Sequence, residues 1–255
     1  MLPTLVSLDV FQRTLATGEP SAIIATEVER ETQYFRDNIG QVTSAEDLMA
    51  DFRLYRYALT AFDLSDTIDQ RAIIERVLAE DTLSDESLVN RLPDERFLEM
   101  AEAFDFAVVG AFNLGDPAFI DDVADRYRVV RSEEAEGEIN DGVRLASYFL
   151  RNVGEIDNWF EVLADPPMRE VVFTALGIPQ EVQGSDVDRL ADELERRFAI
   201  EDFQDPEELD RFVQRFAIQY DIAQGSALSG SASAALSILQ STANFVATNS
   251  LNLLA

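Results

Sequence analysis

The stretch TSAEDLMADFRLYRYALTAFDL, residues 43–64, constrains the fold class more than any other part of the chain. Leu48, Phe52, Tyr55, Leu59 and Phe62 return every three or four positions. That is the period of an amphipathic α-helix, not the two-residue alternation of a half-buried strand. Thr43 or Ser44 supplies an N-cap, and an acidic residue three positions on, Glu46 or Asp47, answers it. Arg53, Arg56 and Tyr57 fall off the stripe. The segment FRLYRYAL therefore reads as a helix buried on its aromatic side, its arginines pairing with Asp51 or with acids of neighbouring helices.

The same period recurs along the chain. In GEPSAIIATEVERETQYFRDNI, Ile23, Ile24, Val28, Tyr34, Phe35 and Ile39 follow Pro20 and Ser21, and Gly40 is a natural stop. PDERFLEMAEAFDFAVVGAF places Asp94 and Glu95 in a first turn and continues through Phe97, Met100, Ala101, Phe104 and Val108. VRLASYFLRNV and NWFEVLADPPMREVVFTAL are helical in pattern, with Asp165-Pro166-Pro167 interrupting the second. DVDRLADELERRFAI carries a stripe of Val187, Leu190, Leu194 and Phe198. The fold class is all-α: one compact multi-helix domain or two helical lobes, with an uncharged helical C-terminal tail.

DPAFIDDVADRY (116–127) matches DPEELDRFVQRF (205–216) in its Asp-Pro start and its Arg-aromatic end. Asp116 and Asp205 are helix caps with Pro117 and Pro206 in the first turn. Reused helix-start chemistry accounts for the match, and the trace of a duplicated unit is the alternative. RVVRSEEAEGEINDG, 128–142, reads as an acidic connection or helix–helix turn. It divides residues 20–222 if the body has two lobes, after an N-terminal segment 1–19. From Ala223 to residue 255 no charged residue occurs. Leu228, Ala232, Ala235, Leu239 and Val246 approximate a helical stripe there, a candidate interaction surface. This tail closes over the body in cis, associates in trans with a partner or another copy, or stays without fixed structure.

Composition narrows the chemistry. The 255 residues carry 49 acids against 20 basic residues, all arginine, for a formal charge of -29. Such a surface repels phosphate backbones, so nucleic acid is not an expected partner. No histidine or cysteine is present, which removes the commonest general base, thiolate chemistry and thiolate metal sites. Asp63, Asp66 and Asp69 in DLSDTIDQ lack the glycine and terminal glutamate of a calcium loop. Adjacent acids such as Asp121-Asp122, Glu133-Glu134 and Glu207-Glu208 need not face each other, and Glu193 with Arg197 makes a surface helix pair. No catalytic residue, metal ligand or cofactor site is assigned, and the expectation is a protein that is not an enzyme. No apolar run is long enough to span a membrane, and no classical signal peptide is read at the start. The expected location is cytoplasmic or flagellum-associated, with signal-independent export open.

Four blocks in order, ETQYFRDNIGQVTSAEDLMADFRLYRYALTAFDL, NRLPDERFLEMAEAFDF, NWFEVLADPPMREVVFTALGIP and DPEELDRFVQRF, resemble the DUF1217 family of flagellum-associated alphaproteobacterial proteins. Phe35, Asn38, Ile39 and Gly40 match in the first block, as do Asp51, Leu54 and Leu59 further along it. Pro166, Pro167, Arg169, Glu170 and Leu176 match in the third. The resemblance implies packing and turn positions, no catalytic residue, and a part in flagellar structure, assembly or motility with a flagellar protein as partner. The uncharged tail loosely resembles the helical termini through which flagellar axial proteins associate. A chaperone or regulatory adaptor for a flagellar subunit is the alternative, and a carboxylate-based hydrolase or lyase comes third.

Overall fold

A computed structural model describes residues 2–108, 110–179 and 186–225, and every regular element among them is helical. The α-helices are α1 (Thr4–Ala16), α2 (Ala25–Asn38), α3 (Ala45–Ala50), α4 (Phe52–Ala61), α5 (Arg71–Ala79) and α6 (Arg96–Phe104). They continue with α7 (Pro117–Gly137), α8 (Asp141–Asn152), α9 (Trp159–Ala164), α10 (Pro166–Leu176), α11 (Val187–Arg197) and α12 (Pro206–Ala223). Leu228, Ala232, Ala235, Leu239 and Val246 lie outside the described residues.

Two hydrophobic clusters form. The first draws on residues between Ile24 and Tyr127, the second on residues between Val143 and Phe216 together with Leu8 and Phe11 of α1. Phe35, Tyr57 and Tyr127 stack across α2, α4 and α7, with centroid separations of 4.5 and 3.9 Å. Phe149, Phe203 and Phe212 meet similarly in the second cluster. Aromatic contacts of this kind add to the free energy of burial alone.

The clusters are built to one plan, repeated along the chain at a constant offset from Tyr34/Tyr148 to Leu64/Ile178. Phe35 and Phe149 are both fully buried. The Asn38 amide donates to the Tyr34 carbonyl, and the Asn152 amide to that of Tyr148, each at 2.8 Å. A single 3-10 turn follows, Ile39–Gln41 or Val153–Glu155. Ser44 and Asn158 cap the six-residue helices α3 and α9. Asp51 and Asp165 then end those helices and cap α4 and α10. The Tyr34 hydroxyl donates to Asp51 at 2.7 Å, and the Tyr148 hydroxyl to Asp165 at 2.5 Å. Each repeat closes with its longest helix, α7 or α12, capped by Asp116 or Asp205 ahead of a proline. The Asp-Pro match therefore belongs to a larger duplication, and the two repeats differ mainly in what joins their third and last helices.

Several expectations need correction. The helix expected over 43–62 breaks at Asp51, whose extended backbone (ψ 97°) restarts it and shifts the register. Phe52 consequently points outward, 58% exposed, while Tyr57 is buried; Leu48, Tyr55, Leu59 and Phe62 are buried as expected. Ile23 precedes the first turn of α2 and is exposed. Asp105 adopts a left-handed conformation (φ 45°) that stops α6, leaving Val108 exposed. Val187, at the start of α11, also faces outward. The segment 128–142 is mostly helix, because α7 runs to Gly137 and α8 starts at Asp141. Asp165-Pro166-Pro167 interrupts the chain for one residue only, since both prolines sit in the first turn of α10, where no N–H is required.

Candidate functional site: a charged junction between the repeats

The polar groups that meet between the clusters begin with a backbone irregularity. The Leu64 N–H donates to the Leu59 carbonyl at 2.8 Å and the Asp63 N–H to that of Thr60 at 3.1 Å, a Schellman closure of α4. The closure demands a left-handed residue, and Asp63 adopts φ 57°. Its counterpart in the second repeat is Gly177, at φ 64° with the same pair of bonds. A side chain in that conformation costs about 1–2 kcal/mol. At Asp63 both of its polar ends are used, one of them across the junction. Its carboxylate accepts from Arg151 Nη2 at 2.7 Å, and its carbonyl accepts from Arg96 Nη1 at 2.6 Å.

Arg151, in the last turn of α8, also donates to Glu133 of α7 at 2.9 Å. Glu133 is 2% exposed and accepts from the Ser147 hydroxyl at 2.8 Å; Ser147 in turn accepts from Gln12 of α1 at 3.0 Å. Burial raises the Glu133 carboxyl above its ordinary range, and Arg151 acts against that rise. Burial disfavours the Arg151 cation too, but Glu133 and Asp63 together hold it above its ordinary value. Two carboxylates thus share one guanidinium, and Glu133 is the more enclosed of the two.

Beside this triad, Arg96 grips Asp94 in a fork of 2.9 and 2.7 Å. Tyr148 lies under the Arg151 guanidinium, 5.3 Å from ring centroid to Cζ, and its hydroxyl holds Asp165. Burial raises Asp165, against the Met168 N–H and Tyr148 hydroxyl that favour its charge. A cavity of about 250 Å³ opens here, with Asp63, Arg96, Glu133, Tyr148, Pro166 and Pro167 in its wall. Of the carboxylates in its wall, Asp63 and Glu133 are committed to Arg151 and Glu134 to Arg131, while Asp66 lies at its exposed edge. Acid–base work on a substrate needs two carboxyls held around an open reacting position with pKa values pushed apart. What this arrangement does is fasten α4, α6, α7, α8 and α10 to one another. Among the described residues no group of three His, Cys, Asp or Glu side chains is placed to hold a metal ion.

Of the positions read from the family pattern, Pro166 and Pro167 reach this cavity. Phe35, Ile39, Leu54 and Leu59 are core residues of the first cluster. Asp51 and Asn38 make the cap and staple bonds already described, and Gly40 is exposed in the 3-10 turn. Arg169 donates to the Leu163 carbonyl at 2.7 Å, Leu176 packs against the second cluster, and burial raises the Glu170 carboxyl. Arg53 pairs with Glu31 at 2.6 Å and stacks 3.9 Å from the Tyr34 ring. Arg56 stands 3.9 Å from the same glutamate. Glu133, Arg151 and Tyr148 do not stand out in the sequence. One signal was available: Val123, Tyr127 and Val130 set a stripe whose next position is Glu133, an acid where an apolar residue belongs.

The model of a family described as a protein of unknown function (DUF1217) matches residues 61–209, more than half of the chain. The chain belongs to the DUF1217 family. A crystal structure of protein AGR_C_984 from Agrobacterium tumefaciens superimposes with a TM-score of 0.74 at 34% identity, covering 86% of this chain and 94% of that one. No curated protein matches. The DUF1217 match runs from the end of α4 into α12, so it contains the whole junction between the repeats. Among the described residues no helix is long and apolar enough to cross a membrane.

Proposed function

We propose that this DUF1217 protein is a non-enzymatic, flagellum-associated interaction or assembly protein, a rigid helical body that presents surfaces to a flagellar partner. The observation that carries the non-catalytic part is the doubled Tyr–Asp staple. Tyr148–Asp165, a hydroxyl–carboxylate pair at the junction, has its twin in Tyr34–Asp51, where it ties the first helix of the repeat to the cap of the third. A constellation that recurs at equivalent scaffold positions serves the fold. The flagellar context rests on the ordered sequence blocks that resemble the family, and the strongly acidic surface favours a protein partner over nucleic acid.

Deleting the gene in the native bacterium should impair swimming or filament assembly; normal filaments with normal motility would refute the proposal. Fractionation distinguishes its two forms. Recovery with purified basal bodies marks a component, while recovery only with an unassembled subunit marks an adaptor.

A further inference from the structure

Both repeats reach their longest helix through a connection that ends in Asp-Pro. The Asp116 N–H donates to the Asn113 carbonyl at 2.9 Å, and the Asp205 N–H to the Asp202 carbonyl at 3.1 Å, so the residues just before each proline correspond. Two positions before the aspartate, Leu114 and Phe203 are both buried. Four positions before it the repeats part. The second has Glu201, an exposed carboxylate suited to the surface of an acidic protein. The first has Phe112, 93% exposed, and Val108 earlier in the same connection is 55% exposed. No charged residue occurs from Phe106 to Gly115.

The fold holds this exposure in place. At one end of the connection the Asp105 N–H donates to the Ala101 carbonyl at 2.8 Å, and the Phe106 ring stacks on Phe104, 5.7 Å between centroids. At the other end the Asn113 amide donates to the Ala103 carbonyl at 3.1 Å, and Leu114 is fully buried. Phe112 is turned outward beside these two anchors. Among the described residues three side-chain polar atoms are enclosed without a hydrogen-bond partner, and two of them, Asp105 Oδ1 and Asn113 Oδ1, belong to this connection. Enclosed polar groups are nearly always paired. A connection shaped for stability alone would pair both oxygens and would carry a polar residue at position 112, as the second repeat does at 201.

We infer that Phe112, with Val108 beside it in the connection, is the anchor that enters an apolar pocket of a protein partner, a pocket rimmed by lysine or arginine. Buried aromatic anchors of this kind supply much of the energy of protein–protein contacts. Charge selects the partner. Asp121 and Asp122, at the start of α7, pair with Arg36 and Arg126. Glu102, Asp105 and Asp116 flank the anchor in sequence, and among the described residues none of them pairs with an arginine. A basic rim on the partner would meet these carboxylates. A second copy, with the same formal charge of -29, or an anionic membrane surface would set like charge against them. The inference rests on reading the chain as an interaction protein, and not on where in the cell its partner works.

The probe is p-benzoylphenylalanine placed at position 112 of the full chain in native cells, with the same amino acid at position 201 as the control. The expected result is a photo-adduct about tenfold or more above the control, mapped by mass spectrometry to an apolar pocket of one partner with lysine or arginine at its edge. With that partner purified, Phe112→Ser should weaken binding about tenfold or more and leave the thermal midpoint unchanged. Raising NaCl from about 50 to about 500 mM should weaken binding of the parent several-fold. An adduct no stronger than the control, a mapped site without basic residues, or full affinity in Phe112→Ser would overturn the inference. An adduct within the chain or to a second copy would overturn it in favour of self-association, and one to lipid in favour of a membrane. Motility of the deletion strain is read separately. An adduct with normal swimming removes the flagellar context and keeps the anchor, while no adduct with impaired swimming does the reverse.

Discussion

Arg151→Met is the sharpest test of the junction. Methionine keeps most of the stem's volume and removes the one cation that Glu133 and Asp63 share. Asp63 keeps its backbone bond to Arg96, but Glu133, 2% exposed, is left with only the Ser147 hydroxyl. Breaking a buried pair from one side costs about 3–5 kcal/mol. At about 2–4 °C per kcal/mol for a protein of this size, the midpoint should fall by about 6–20 °C at pH 7.5. The pH dependence supplies the sign. The folded Glu133 pKa is raised, so its contribution to stability is fully present below the ordinary carboxylate range and lost as pH rises through the folded value. Without Arg151 that value rises further, so the deficit of the variant should shrink as pH falls from 7.5 to 5. Glu133→Gln should cost less, about 1.5–3 kcal/mol, because Arg151 keeps Asp63. In the double variant the two losses should add to less than their sum, by about 0.5–3 kcal/mol. Thermal and urea unfolding followed by circular dichroism measure all of these. If Arg151→Met stayed within about 1 kcal/mol of the parent at both pH values, the junction would not be a structural ion-pair network.

Further expectations concern single positions. Asp63→Ala should unfold more readily than Asp63→Gly by about 1 kcal/mol, since both lose Arg151 but only glycine relieves the left-handed backbone; equal midpoints would remove the strain from the account. Gly142→Ala would drive a Cβ to 2.6 Å from the Tyr220 ring and should cost about 1–3 kcal/mol, whereas Gly154→Ala meets nothing within 4 Å and should be neutral or slightly stabilising. The bond from Arg53 holds the Glu31 carboxyl below its ordinary range, despite burial. Glu31 therefore stabilises the fold above that range and loses the effect as pH falls through its depressed value. Glu31→Gln should be destabilised at pH 7 and converge on the parent in acid; a constant difference across the titration would contradict the pairing.

Helix type and most core positions were legible because a 3.6-residue period survives in nearly every segment, and caps such as Ser44, Asp116 and Asp205 have their expected side chains. Breaks imposed by a single residue were harder to see. Asp51 and Asp105 both interrupt an unbroken apolar period, Asp51 by capping a new helix and Asp105 by turning left-handed. Their misplacement carried Phe52 and Val108 onto the wrong face. The duplication was visible only at Asp-Pro, because Tyr34, Phe35, Asn38, Gly40, Ala50 and Asp51 and their counterparts are scattered among substituted neighbours. A hydrogen bond such as Tyr34–Asp51 gives those scattered identities their common meaning. The junction was least legible of all, because no local pattern pairs Asp63 with Arg151.

The position of α1 has a consequence for how the molecule is made. Its seat is formed by α8 and α12, and its polar anchor Asp221 lies 217 residues after Thr4. At synthesis rates of about 5–20 residues per second, α1 waits about 10–40 s for the last part of its partner. During that interval Leu8 and Phe11 have no cluster to enter, although the first repeat can already close around Phe35 and Tyr57. Vectorial folding therefore completes the second repeat only when α1 docks onto a helix made some 200 residues after it.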